Sequence, residues 1–417
     1  MKNIFASIIT IGDELLIGQV IDTNSAWMAQ QLNKIGINVR KRIAVGDNED
    51  DIRNALDTES QHADVILITG GLGPTSDDIT KQLLCNYFGG KMVVNEGALQ
   101  NVRHLFEKIY KKPVSPINLL QAEVPDVCEV LQNMRGSAPG MLFRKGKSIY
   151  ISMPGVPYEM QGIMEEVLPL IEKEFQLPAI LHRTIITAGI GESSLAEIIQ
   201  DFEKALPESI RLAYLPSYGM VRLRLTTSGF DKDVTEALID DHFSRLKKLV
   251  TPYLVTDKDE PMQVVLGKLL SATKKTISTA ESCTGGGIAS LIASVAGASG
   301  YYSGSVVSYS YKVKELLLNV KENTLQKYGA VSEETVKEML SGVLNKLETD
   351  YGIAVSGIMG PSGGTSDKPV GTVWIAVGNK EKNVARKFQY RFQRQKNIEV
   401  TCTMALDMMR RFILEDQ

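Results

Sequence analysis

At 417 residues the chain is too long for one ordinary hydrophobic core, and a partition into roughly two or three domains follows. Hydrophobic residues make up 43% and charged residues 23%, the balance of a soluble globular protein rather than a disordered or fibrous one. Lys plus Arg number 46 against 49 Asp plus Glu, which excludes the global basic excess that recruits nucleic acid or an anionic membrane. No apolar run is long enough to span a bilayer, and Gly12, Asp13 and Glu14 interrupt the N-terminal apolar segment, so no signal peptide is expected. Cys85, Cys128, Cys283 and Cys402 are widely spaced and form no CxxC pair, the pattern of reduced thiols in a cytoplasmic protein.

In chain order, Ile4 to Ile11 reads as a strand that ends at Gly12, Asp13 and Glu14. Thr23 or Asn24 is placed to cap a helix with the apolar face Trp27, Met28, Leu32 and Ile35, stopped by Gly36. A second strand at 37–43, a helix at 50–58 and a strand from Val65 continue the alternation, which predicts a parallel sheet covered by helices on both faces. Ligands of such sheets sit beyond the carboxyl ends of the strands. Asp13 and the stretch Gly70 to Asp78 both fall at such ends.

That stretch links a buried strand to a helix carrying Ile79, Leu83, Leu84, Tyr87 and Phe88 at helical spacing, with Gly89 as the stop. Gly70, Gly71 and Gly73 allow close backbone approach to a ligand, and Thr75 stands at the helix start, so a phosphate-sized site is expected. Asp77 and Asp78 beside a phosphate would need a cation between them, which suggests Mg²⁺ or a similar hard ion. The plainer reading is a turn in which Thr75 and Asp78 form a capping box. The loop is not a Walker A motif, and Ser76 stands where GxGxxG would have its third glycine. Glu159, after the loop Met153-Pro-Gly-Val-Pro, is a further acidic candidate for the cleft, the alternative being a solvated carboxylate at a helix start.

The segments GDELLIG, TGGLGPTSDDIT, GSAPG and PGVPYEM together resemble the N-terminal domain of the competence/damage-inducible CinA family, itself similar to molybdopterin-binding domains. The resemblance covers residues 1–170. It implies a nucleotide diphosphate site and, as in some members, a metal-dependent ADP-ribose pyrophosphatase, with Asp13, Asp77, Asp78 and Glu159 as the metal set. Ser137 stands where the family usually has threonine, which keeps the hydroxyl.

Residues 171–255 predict a small α+β unit: a strand at 183–188, a helix at 193–202, an alternating strand at 221–227 and a helix at 233–249. It resembles a KH-type fold without the GxxG loop that clamps nucleic acid, so a linker or dimerisation role is expected.

Residues 256–417 begin a second α/β pattern. Ala280-Glu-Ser-Cys-Thr-Gly-Gly-Gly287 runs from a strand into a helix, and Thr284, Gly285 and Gly286 offer a second anion site or a mere tight turn. No histidine follows His242, so nucleophilic chemistry here needs a lysine base or a metal.

AESCTGG, GSVVSYSYKVK, SGIMGPSGG and KPVGTVW resemble the CinA C-terminal domain, which also occurs alone as nicotinamide mononucleotide deamidase. The resemblance implies hydrolysis of the nicotinamide carboxamide to nicotinate mononucleotide and ammonia by a Ser/Lys mechanism without a cofactor. By motif, Ser299 would be the nucleophile and Lys314 its base, with Ser282, Tyr309 and Ser356 lining the carboxamide and ribose. A basic lysine must be neutral, so Lys314 should be buried. Arg394 is the expected holder of the substrate phosphate or carboxamide. Cys283 is the rival nucleophile, expected instead as a packed thiol. Tyr311, Lys312, Met359 and Ser362 depart from the family pattern, and Tyr311 and Met359 would narrow the pocket.

The expected architecture is therefore α/β, with two α/β domains joined by a small KH-like α+β domain. The expected partners are small-molecule nucleotides, nicotinamide mononucleotide and ADP-ribose, with a homodimer implied by resemblance and neither membrane nor nucleic acid. The same motifs allow a non-catalytic nucleotide-binding regulatory protein, or pterin-nucleotide binding by the first domain.

Overall fold

The structure, a computed structural model, describes residues 3–75, 77–217 and 219–416. Ser76 of the glycine-rich loop lies outside them. The fold is α/β and divides into two compact units, Met1–His182 with Leu206–Arg211 and Leu225–His242, and the remaining residues through 417.

The first unit is built on a six-stranded sheet in the order Asn38–Val45, Phe5–Ile11, Val65–Thr69, Ser148–Met153, Gly140–Lys145, Glu129–Leu131. The first four strands are parallel, as the alternation predicts. The last two run antiparallel, so the sheet is mixed rather than purely parallel. Hydrophobic patterning specifies burial and leaves direction to the connection, and here a short hairpin turn at Gly146 returns the chain on itself. The central strand is buried throughout because its alternate residues enter two cores. Val65 and Leu67 face Met28, Leu32, Ile163 and Val167. Ile66 and Ile68 face Ile52, Leu56, Leu84 and Phe143.

Asp22, not Thr23 or Asn24, caps the first long helix, Thr23–Lys34, by accepting from the Ser25 N–H at 2.9 Å. Gly89 adopts the left-handed conformation that closes the helix Thr80–Phe88, as its position predicts.

The middle of the chain supplies the strands Ala179–Ala188, Ile210–Ser217, Met220–Gly229 and Leu254–Thr256, and the helices Glu192–Lys204 and Lys232–Leu249.

The second unit carries a five-stranded sheet in the order Tyr302–Val307, Ile277–Glu281, Tyr351–Gly357, Thr372–Gly378, Asn383–Gln389. The first three strands are parallel and the last two antiparallel. One face packs Ile277, Ile353 and Val355 against the helices Met262–Thr273 and Arg394–Asp416. The other presents Ala280, Val306 and Ala354 to the helices Tyr311–Leu318 and Glu333–Leu347. Among the described residues, no helix is long and apolar enough to cross a membrane.

Candidate active site

In the second unit Ser282, Ser308, Lys314 and Ser356 collect at the carboxyl ends of the three parallel strands. Ser310 starts the helix Tyr311–Leu318 by accepting from the Val313 N–H. One turn in, Lys314 is completely buried. Its Nζ lies 2.9 Å from Ser282 Oγ, 2.6 Å from the Ser308 carbonyl and 3.4 Å from the Tyr309 carbonyl. All three partners are neutral, so burial dominates and lowers the ammonium to about 8. Ser282 follows the strand Ile277–Glu281, and its N–H donates to the Val355 carbonyl.

Ser299, the expected nucleophile, is not part of this cluster. It is exposed in the turn before the edge strand, whose first residue, Tyr302, pairs with Ile277 at the start of the central strand. Lys314 meets Ser282 at the other end, roughly 16 Å away at 3.3 Å per residue. The family motif located a serine, but strand direction puts it at the amino ends of the parallel strands, opposite Lys314.

The expected phosphate cradle at Thr284, Gly285 and Gly286 is also corrected. Glu281, fully buried, accepts from Thr284 Oγ1 at 2.7 Å and from the N–H groups of Gly286, Ile288 and Ala289 at 2.8 to 3.1 Å. The anion at this helix start is the chain's own carboxylate. Gly285 and Gly286, both at positive φ, shape the turn that folds these donors around it.

Tyr309 is exposed, and its hydroxyl accepts from Arg394 at 3.3 Å, while the other Arg394 nitrogen donates to the Gly360 carbonyl at 2.9 Å. Both acceptors are uncharged. Ser356 is buried and donates to the Ala330 carbonyl at 2.7 Å. Cys283 is packed in the core and burial pushes its thiol far above its usual range, which suits the packed-thiol reading. Met359 also belongs to that core, and Asn397 holds its carbonyl at 3.0 Å, so it does not narrow the site. Tyr311 is half exposed, with its hydroxyl accepting from the Ala330 N–H. Lys312 and Ser362 are exposed.

In the first unit, a cavity of about 440 Å³ opens where the sequence places a ligand. Gly70, Gly71, Gly73, Asp77, Asp78, Ser137 and Glu159 line it, with Glu14, Asp47 and Gln121. A Cβ at Gly70 would lie 2.1 Å from the Ile11 carbonyl oxygen, which explains the glycine where the two strands end side by side.

Three of the four expected metal ligands, Asp13, Asp78 and Glu159, are engaged in hydrogen bonds within the chain. Asp13 exchanges hydrogen bonds with Asp47, donating its N–H to the Asp47 carboxylate and accepting from the Asp47 N–H. Asp78 accepts from the Thr75 N–H at 3.0 Å and from the Thr75 hydroxyl, the turn arrangement rather than a free ligand. Glu159 accepts from Asn133 at 2.7 Å, and burial raises its carboxyl. The Thr75 hydroxyl lowers Asp77. Burial first, then the charges of Asp13, Glu14 and Asp77, raise Asp47. Among the described residues, no group of three or more acidic, His or Cys side chains is arranged to hold a metal. The arrangement does not fit the expected Mg²⁺ set.

Sequence reading missed Glu281 as an internal anion, and it missed Ser308. The signal for Ser308 was present: it directly follows the apolar pair Val306-Val307 at the end of a predicted strand, as Ser356 follows Ala354-Val355.

Three family models match the chain in succession: "Probable molybdopterin binding domain" at residues 7–173, "Damage-inducible protein CinA KH domain" at 182–256 and "CinA C-terminal domain" at 259–413. A CinA-like protein of Cytophaga hutchinsonii is 47% identical over 414 residues, covering 99% of each chain. One of Flavobacterium psychrophilum is 45% identical over 413 residues, again covering 99% of each. A solved CinA superfamily protein from Klebsiella pneumoniae is 30% identical, with a TM-score of 0.36, and covers 37% of this chain and 96% of its own.

Proposed function

Since the chain belongs to the CinA family, we propose that its C-terminal domain is a serine–lysine amide hydrolase that converts nicotinamide mononucleotide to nicotinate mononucleotide and ammonia. The observation that carries this reading is the buried Lys314 Nζ at 2.9 Å from Ser282 Oγ.

A neutral amine has two N–H bonds and one lone pair. The Ser308 and Tyr309 carbonyls take the two N–H bonds, which turns the lone pair toward the Ser282 hydroxyl. Lys314 removes that proton as Ser282 Oγ attacks the carboxamide carbon. The backbone N–H of Cys283, next to the nucleophile, is the donor such a turn offers to the oxyanion. The ammonium then protonates the departing nitrogen, ammonia leaves, and water releases the acid by the reverse proton path. Arg394 supplies a cation for the substrate phosphate, anchored by Gly360 and Tyr309.

Ammonia release by the purified chain is the test, with wild type beside Ser282→Ala, Lys314→Ala and Ser299→Ala. Loss in the first two and retention in the third is the expected pattern. Full activity in Ser282→Ala would sink the assignment.

For the N-terminal domain the glycine-lined cavity supports nucleotide binding, and we assign it ADP-ribose as ligand. The commitments of Asp13, Asp78 and Glu159 favour binding over metal-dependent hydrolysis. Calorimetry with ADP-ribose tests the binding. Turnover that appears only with added Mg²⁺ would restore the pyrophosphatase. The homodimer implied by resemblance is tested by light scattering at working concentration.

A further inference from the structure

Ser308, Ser282 and Ser356 occupy one row across three adjacent parallel strands. Val307 pairs with Glu281 and Glu281 with Val355, so the next residue of each strand is a serine in register with the other two. Alternation puts all three on the face of Val306, Ala280 and Ala354. The helix that carries Lys314 covers this face, burying Leu318 in the same cluster.

Two of the three hydroxyls are engaged in the resting site. Ser282 accepts from Lys314, and Ser356 donates to the Ala330 carbonyl. Ser308 is fully buried and both its backbone groups are used, the N–H by the Glu281 carbonyl and the carbonyl by Lys314. Among the described residues its hydroxyl has no partner. A buried hydroxyl without a partner is costly, and one retained beside a reactive pair calls for a role. Neighbouring strands lie about 4.8 Å apart, so rotation about one side-chain torsion sweeps this hydroxyl toward Ser282.

We propose that the Ser308 hydroxyl is the hydrogen-bond donor that stabilises the Ser282 oxygen while that oxygen is deprotonated. The inference rests on the Ser282–Lys314 reading above. In the step concerned the Ser282 O–H bond breaks, its proton joins the Lys314 lone pair, and the electron pair left on Oγ forms the bond to the amide carbon. Ser308 donates a hydrogen bond to Oγ before that bond is complete and transfers no proton. In the resting site Ser282 Oγ is neutral and satisfied by Lys314, which leaves Ser308 idle.

A fluorophosphonate probe tests this without relying on the identity of the substrate. Serine Oγ bonds to phosphorus and fluoride leaves, and mass spectrometry of the full chain locates the adduct. Wild type is expected to be labelled at Ser282. Ser308→Ala should slow labelling about tenfold to a hundredfold, the scale of losing one donor to a developing charge. Ser308→Thr, which keeps the hydroxyl, should restore most of the rate. Thermal unfolding separates this from a packing role: removing an unpartnered hydroxyl should leave the midpoint of Ser308→Ala unchanged or raised. Labelling of Ser308→Ala at the wild-type rate overturns the proposal, as does a lowered midpoint with no rescue by threonine. An absence of any Ser282 adduct in wild type removes the underlying Ser–Lys reading, and the proposal falls with it.

Discussion

Burial takes the Lys314 ammonium from its ordinary 10.5 to about 8, so at pH 7 about one molecule in ten holds the free amine. On the proposed mechanism, kcat/KM for ammonia release should therefore rise nearly tenfold per pH unit below about 8 and level off above it. A rate profile flat from about pH 6 to 9 would contradict a lysine base. The same shift bears on stability. Because the folded state releases this proton first, the unfolded chain binds more protons between about pH 8 and 10.5, and unfolding becomes harder as pH rises through that window. Relative to Lys314→Met, which has no group to titrate there, wild type should gain up to about 3 kcal/mol across it, measured by urea unfolding of both proteins at matched pH. Ser282→Ala should lower deamidation by about 10³-fold or more, with Ser299→Ala within about twofold of wild type. The missing histidines left a lysine or a metal as the base, and it was the motif resemblance that pointed to Lys314, whose expected burial the structure shows. Its partner was not legible, because Ser282 and Ser299 are both serines in glycine-rich turns, and only strand direction tells which turn adjoins the lysine.

At the scale of elements, the helix Gly287–Ala293 has only seven residues, and its start is held by the Glu281 carboxylate. Glu281→Gln removes the charge and half of the acceptor capacity facing five donors, the Thr279 hydroxyl included. It should cost about 2–3 kcal/mol and speed hydrogen exchange at Gly286, Ile288 and Ala289, read by mass spectrometry. The turn itself was legible as strand, glycines and helix. Its occupant was not, since a glycine-rich turn looks alike whether its amides meet a ligand or a carboxylate five residues back. In the first unit, Gly70→Ala should cost about 2 kcal/mol or more, because a Cβ meets the Ile11 carbonyl at a φ of +112°. Thermal unfolding of the variant checks it.

Over the whole chain, each unit has its own pair of cores, one on either face of its sheet. Unfolding should accordingly depart from two-state behaviour. Leu67→Ala and Ile353→Ala should each lower a different calorimetric transition by about 2–5 kcal/mol equivalents, the cost of a buried cavity. A single transition shifted equally by both would contradict this. The alternation of strands and helices made the α/β class legible, whereas the antiparallel edges were hidden, because apolar runs look the same in either direction. The serine row has a consequence for how the molecule matures. Its members stand at 282, 308 and 356, on strands joined by long crossovers, and parallel pairing of such distant segments is slow. A slip of one residue in either pairing would turn a serine to the opposite face. Nucleophile reactivity in a refolding chain is therefore a clock for strand registration, silent in collapsed but mispaired states and switched on when the three strands lock.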